Sequence, residues 1–534
     1  MLVAQAPQEP PPRLLVLISV DQLAEWTYNA ARPHFSKNGF LKLEREGTRW
    51  THCDYSHALT LTAPGHATLA TGAPPARHGI IGNNWFDRAL GKSIYSCFDP
   101  EAKTPEGAKS GKELGPAQLL APTVAEELER ASAGAAKTVS VAWKDRAAIL
   151  MLGRGDLALW IDGDGALTTS TSYAQTLPEW VRALNAPVTP AARFSGTTWT
   201  RCGLDAAYSG LVDERSFEPV HGGTRTLPRP VGKPAPAKPD ISAVCNSPFA
   251  LDAVQLCVEA AIEAEHLGAD ETTDFLAIGY SALDFIGHAF DPTSVEVRDT
   301  ILRMDQVLAR LLAFLDRKVG LDHCLIVLSA DHGITPAPEV LRAAGMEHAA
   351  RGKFTEEFAK LANRTLVEAF GEPQSPHKRF VVAGTAGGLI LDKHAIAASG
   401  QTMKIACRRV VDAATPLPVF ARVIAATDLP EVLARTPAGP ERELLQAMLF
   451  ATHAERGGEV LHVWKDGYID STSVASHGSP WPRDRGVPLL AVGRGIPRGE
   501  CVATQVSPGA AAALFAARCG LTLAPESDPA PLLR

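Results

Sequence analysis

Leu14-Leu15-Val16-Leu17-Ile18-Ser19-Val20-Asp21 is the run that decides the architecture. An apolar stretch broken only by Ser19 suits a strand buried on both faces of a parallel sheet. It ends on a carboxylate, and open α/β sheets place ligands at the carboxyl ends of their strands. Three later strands repeat the device. Thr138 to Trp143 runs into Lys144-Asp145-Arg146, Phe275 to Gly279 leads to Tyr280-Ser281-Ala282-Leu283-Asp284, and Cys324 to Leu328 delivers Ser329-Ala330-Asp331-His332-Gly333. Between them lie helix signals around Phe40 to Glu46, a T-x-x-E capping box at Thr123 and Glu126, a helix from Ser247-Pro248 to about Leu267, and a helix with Ile301, Met304, Leu308, Leu311 and Leu315 on one stripe. Further on, a strand is expected at Pro488 to Val492 and a last helix from Pro508 to Arg518. Strands alternating with helices predict an α/β fold, a three-layer α/β/α sandwich around a mainly parallel central sheet.

Residues 1–13 read as a flexible N-terminal segment and 14–534 as one catalytic domain. Insertions at about 155–245 and 336–460 are expected to form a cap or crown near the active site. The short alternating run Leu157 to Ile161 and the proline-rich connector Lys233 to Pro239 fall in the first insertion, and a strand at Phe380 to Val382 in the second.

Lys+Arg total 52 against 59 Asp+Glu, a net charge of −7 that is too mild to imply a polyanion partner. No basic, aromatic-interleaved stripe indicates nucleic-acid binding, and no apolar run approaches the ~20 residues that cross a bilayer. Ala4-Gln5-Ala6 has the small-x-small pattern of a signal-peptidase site, although no charged n-region or full apolar h-region precedes it. The nine cysteines show no C-x-x-C spacing, which argues against a zinc ribbon or a thioredoxin-like motif.

The chemistry centres on S-H-A-L-T-L-T-A-P-G-H-A-T-L-A-T-G-A-P-P-A-R-H-G-I-I-G-N-N-W-F-D, Ser56 to Asp87. Pro64 marks a helix start, so Thr62 stands at or just before a helix N-terminus, where the dipole favours an anion such as a threonine alkoxide. An ordinary N-cap is the alternative reading. Asp21, Asp284 with His288, Asp331 with His332, and later His477 supply a His/Asp set without cysteine. That set suits zinc, with manganese or iron as further options. Asp284 and His288, four apart, share one face if helical. Lys144 and Arg146, two apart on a strand, would share a face while Asp145 points away. Two ions ~4 Å apart would stabilise the attacking and leaving oxygens of an in-line displacement.

These pieces together resemble the alkaline phosphatase superfamily, and within it the PafA-type alkaline phosphatases that use threonine in place of serine. The resemblance lies in V-D-Q at Val20 to Gln22, T-A-P-G-H at Thr62 to His66, H-G-I-I-G-N-N-W-F-D at His78 to Asp87, K-D-R at Lys144 to Arg146, D-F-I-G-H at Asp284 to His288, A-D-H-G at Ala330 to Gly333 and S-H-G-S-P at Ser476 to Pro480. It implies two Zn2+ per chain, one held by Asp21, Thr62, Asp331 and His332, the other by Asp284, His288 and His477. It also implies that Thr62 is the nucleophile of a phosphothreonine intermediate, with Asn83, Lys144 and Arg146 on the non-bridging phosphoryl oxygens. The implied substrates are small-molecule phosphate monoesters, and the implied location is the periplasm or the cell exterior. A phosphodiesterase or nucleotide pyrophosphatase on the same scaffold is the alternative. A sulfatase is disfavoured because no C-x-P-x-R motif is present.

Overall fold

Leu14–Val20 forms a strand, β1, whose seven residues are all buried. The computed structural model in which it lies describes residues 10–220, 223–233, 237–524 and 527. Ala4 to Ala6 and the middle of the proline-rich connector, residues 234–236, lie outside the described residues. β1 lies in the middle of the nine-stranded central sheet. Its strands after β1 are β2 (Gly47–Trp50), β3 (Thr138–Ala142), β4 (Leu157–Ile161), β5 (Leu167–Thr168), β6 (Asp274–Tyr280), β7 (Cys324–Ser329), β8 (Leu489–Gly493) and β9 (Glu500–Val502), side by side in the order β9-β2-β8-β7-β1-β6-β3-β4-β5.

The five strands from β7 to β4 are parallel, whereas β8 runs antiparallel to both of its neighbours and β5 antiparallel to β4. Register sets the site. Val20 pairs with Tyr280 and Ser19 with Ser329, so Asp21, the Ser281–Asp284 segment and Ala330–Asp331 leave three adjacent strands at one height. Gly279 pairs with Ala142, which brings Lys144 to the same edge.

Leu157–Ile161 differs from expectation. It is not an insertion segment but a fully buried strand of the main sheet, parallel to β3. A short apolar run followed by Asp162-Gly163 carries little periodicity, and its lateral partner decides its place. The helices around Phe40–Glu46, Phe249–Ala264 and Val295–Lys318 form as expected, and Thr123 with Glu126 makes a reciprocal capping box.

Between β7 and β8 the chain builds a cap with its own antiparallel sheet, Val381–Thr385, Gly388–Leu391, Val460–Trp464 and Phe420–Ala425 in spatial order. Phe358, Leu366, Phe380, Leu389, Val410 and Val460 form a separate apolar cluster within it. The cap leaves and re-enters through a neck where the Thr335 N–H donates to the Ser476 carbonyl at 2.9 Å. All nine cysteines are free thiols. Among the described residues no helix is long and apolar enough to cross a membrane.

Candidate active site

Thr62 is the first residue of helix α1 (Thr62–Thr71), with extended Leu61 as its N-cap. Every residue of this helix is buried, so it is held by packing on all sides and not by one apolar stripe. Gly65 allows the close approach: a Cβ there would lie 2.0 Å from the Asp331 carbonyl oxygen. The Ala63 N–H donates to Asn83 Oδ1 at 2.9 Å, and Pro64 has no N–H. The helix end thus offers its dipole more than a cluster of open amides.

Lys144 and Arg146 correct the strand-alternation reading. β3 ends at Ala142 and Lys144 is the N-cap of helix α2 (Asp145–Leu152), so the two cations straddle a strand-to-helix turn. Lys144 is 5% exposed; its Nζ lies 2.6 Å from Asp21 Oδ2 and donates to Asp284 Oδ2 at 2.5 Å. Arg146 is half-buried, with Nη1 3.4 Å from the Tyr95 hydroxyl, which itself donates to Asp145 at 2.5 Å.

Helix α3 (Ala282–Phe290) puts Asp284 and His288 on one face, with His288 Nε2 3.3 Å from Asp284 Oδ1. His477 Nε2 is 3.6 Å from the same oxygen and 3.2 Å from His288 Nε2. On the other side, His332 Nε2 stands 3.5 Å from Asp21 Oδ1, 3.3 Å from Asp331 Oδ2 and 3.5 Å from Thr62 Oγ1. One ligand atom from each of Asp284, His288 and His477, and one from each of Asp21, Asp284 and His332, fall within 4.8 Å of one another. Asp284 therefore belongs to both groups, where the resemblance gave it only one.

The ring tautomers follow from the backbone. Nδ1 of His288, His332 and His477 faces a carbonyl oxygen (Ala475, Gly333 and Thr60) at 2.9, 2.9 and 2.7 Å. A carbonyl only accepts, so each Nδ1 carries the proton and each neutral ring points a bare Nε2 lone pair at the carboxylates. Neither oxygen of Asp21, nor Asp331 Oδ2, accepts a well-directed hydrogen bond. Three buried carboxylates, with Lys144 as the ammonium among them, leave negative charge uncompensated. Lone pairs facing carboxylates favour a cation between them, and this donor set fits divalent metal ions.

Titration follows the same logic. Burial, then Asp331, pushes Asp21 up to about 7, against the pull of Lys144. Burial lifts Asp331 to about 6 and lowers His332 to about 4. Burial opposes ionisation of Asp284 too, yet Lys144 and His288 hold it well below the ordinary carboxylate range. His477 is depressed by burial and by its neighbouring imidazoles, whereas Asp284 outweighs burial at His288 and raises it.

Two buried residues in the crevice had no role assigned from sequence. Gln22, in a left-handed backbone conformation with φ 69°, donates its N–H to Asp331 and its side-chain amide to Asp284. His66 sits 3.4 Å from Asp331 Oδ2 with Nδ1 2.8 Å from the Thr62 carbonyl, and burial lowers it to about 4. Their position inside the V-D-Q and T-A-P-G-H motifs was the available signal.

Comparison with known proteins supplies the relatives. The family described as type I phosphodiesterase / nucleotide pyrophosphatase matches residues 15–379. Alkaline phosphatase PafA of Elizabethkingia meningoseptica is 30% identical over 502 residues, covering 92% of this chain and 88% of the relative. Alkaline phosphatase PhoK of a Sphingomonas species is 32% identical over 508 residues, covering 92% and 85%. The crystal structure of wild-type PafA superposes with a TM-score of 0.87 at 27% identity, covering 98% of each chain.

Proposed function

The chain belongs to the type I phosphodiesterase / nucleotide pyrophosphatase family of the alkaline phosphatase superfamily, and from that membership we propose a two-zinc alkaline phosphatase that forms a phosphothreonine. It is a phosphate monoester hydrolase in the manner of its PafA-like relatives. Asp21, Thr62, Asp331 and His332 would hold one zinc ion and Asp284, His288 and His477 the other, and ions so held would supply positive charge for the attacking and departing oxygens.

The Thr62 hydroxyl gives up its proton and Oγ1 attacks phosphorus from the N-terminal end of α1, forming an O–P bond as the bond to the leaving alkoxide breaks and that alkoxide takes a proton from water. Water then attacks the phosphothreonine, the P–Oγ1 bond breaks, and inorganic phosphate leaves with Thr62 restored. Asn83 commits its Oδ1 to the Ala63 N–H, which leaves its amino group as the donor for a phosphoryl oxygen. Lys144 and Arg146 add a point charge and a fork of donors for the non-bridging oxygens. A monoester dianion, with charge spread over those oxygens, gains more from this pair than a diester does.

The observation that carries the reading is the convergence of three bare Nε2 atoms and three carboxylates around a crevice in which Thr62 Oγ1 stands 3.5 Å from His332. The test compares an aryl phosphate with an aryl diester of the same leaving group, before and after EDTA stripping and zinc restoration. Monoester preference, lost on stripping and regained with zinc, is expected. Activity that survives exhaustive stripping overturns the metal assignment, and diester preference favours the second reading, a phosphodiesterase, which the family description supports. We place the enzyme in the periplasm or outside the cell on the Ala4-Gln5-Ala6 pattern, which cell fractionation reads directly.

A further inference from the structure

Gln22 holds one carboxylate of each proposed half-site with two different parts of itself. Its backbone N–H donates to Asp331 Oδ1 at 3.0 Å, and its side-chain Nε2 donates to Asp284 Oδ1 at 2.6 Å. A carboxylate only accepts, so the amide orientation is fixed with its NH2 toward Asp284. That Asp284 oxygen is also the one facing His288 Nε2 at 3.3 Å and His477 Nε2 at 3.6 Å. The residue is 1% exposed and sits at φ 69°, a conformation glycine adopts with less strain. Glycine at this position would keep the contact to Asp331 and lose the one to Asp284.

The neighbouring helix is built around the same side chain. A Cβ on Gly287 would lie 1.8 Å from Gln22 Oε1, so α3 carries a glycine at the one place where the amide passes. Two elements, the turn after β1 and the middle of α3, therefore accommodate one hydrogen bond to a proposed ligand. Groups that orient a ligand from behind commonly change metal affinity about 10–100-fold when removed.

Resting on the two-ion reading above, which gives Asp284 to one ion although its atoms lie within reach of both groups, we infer that Gln22 is a positioning residue: bonded to Oδ1, the Asp284 oxygen that faces His288 and His477, its side chain selectively strengthens the ion held by those three residues. Its backbone serves the other ion regardless of side chain. The two contributions separate by mutation: Gln22→Leu keeps the N–H and the bulk but removes the amide. Gly287→Ala leaves residue 22 intact and displaces the amide sterically.

Zinc titration of the EDTA-stripped full chain against a competing chromophoric chelator counts the ions and ranks their affinities. The wild type is expected to take up two ions; one ion or none overturns the two-ion reading itself, before Gln22 is in question. Gln22→Leu is expected to bind one ion as the wild type does and the other at least about tenfold more weakly. Gly287→Ala is expected to do the same, and the double variant to be no weaker than the worse single, because both remove one contact. Wild-type affinity for both ions in Gln22→Leu overturns the inference, as does equal weakening of both ions or multiplication of the two losses in the double variant. Should Gln22→Leu fail to fold by circular dichroism, Gly287→Ala carries the same comparison.

Discussion

The two halves of the crevice are built from the same residue types and behave differently. Around His332 everything is sealed: Asp21, Asp331 and His332 are 0% exposed, both acids resist ionisation and the imidazole resists protonation. Around Asp284 the wall is thinner. The His288 side chain is 27% exposed, Asp284 is held ionised by Lys144, and His288 gains proton affinity from Asp284. Aspartate and histidine thus form one pocket whose buried acids resist ionisation and another whose acid is held ionised by the neighbouring Lys144 and His288. The difference comes from His288: Asp21 and Asp331 directly follow interior strands, whereas His288 stands a full turn further along α3 than Asp284 and is the one partly exposed side chain of the set.

Thr62 sides with the sealed half, and that assignment makes the largest effect. Thr62→Ala should lower monoester turnover by on the order of 10³-fold or more while zinc content, read by elemental analysis, stays at the wild-type level. Loss of metal together with activity would move Thr62 from the chemistry to the scaffold.

Next comes the contrast between ligands. His332→Ala and His288→Ala should each weaken zinc binding by about 10–100-fold or more, but only His288→Ala should recover activity with added imidazole, since only its site has an opening to solvent. Equal rescue of both variants would erase the distinction drawn here.

The third effect is on stability. Burial lowers His57 to about 3 and His66, His332 and His462 to about 4, against an ordinary value near 6.5. Below pH 6.5 the unfolded chain binds protons that these folded imidazoles refuse, so stability present above pH 6.5 is lost as pH falls toward 4. Asp21 and Asp331 run the other way: their protons favour the folded state below about 4, and that stability is lost as pH rises through about 6 and 7. Glu218, Glu296 and Asp484 are raised by burial in the same way, so the imidazole contribution is read by difference. His462 lies on the cap strand Val460–Trp464, and in zinc-stripped protein His462→Gln should gain melting temperature relative to the wild type as pH falls from 6.5 to 4.5 in a calorimetric series. A difference that does not change with pH would show that His462 does not resist protonation.

The smallest effect tests the packing that seals the deep half. Gly65→Ala drives a Cβ into the Asp331 carbonyl and should cost about 1–3 kcal/mol in denaturant unfolding. An unchanged midpoint would mean α1 can shift away without disturbing that loop.

The frame of this crevice was legible in sequence because continuous apolar runs ending in Asp or His have one economical reading, strands abutting at a shared edge. Asp284 and His288 were legible as a pair because four residues is one helical turn. Lys144 and Arg146 were placed at the right edge on the wrong element, since residue alternation cannot tell where a strand stops and a helix begins. Leu157–Ile161 was hidden because membership of the main sheet depends on hydrogen bonds to β3, and five apolar residues carry no record of their neighbour. Reversal of β8 was equally unreadable, as direction within a sheet is set by where the cap returns the chain. Gln22 escaped because its backbone angle is invisible in a sequence and an amide next to an aspartate has many ordinary explanations.

The neck at Thr335 and Ser476 has a consequence of its own. The bridge is not the cap's only tie to the crevice: Ala58 and Leu59, just ahead of Thr62, share an apolar cluster with Leu429, Leu445 and Met448 of the cap, and the Ala58 N–H donates to the Ala447 carbonyl at 2.9 Å. A cap exchanged at the neck therefore leaves that seam exposed, and the loop that carries the threonine must be repacked along with the new module.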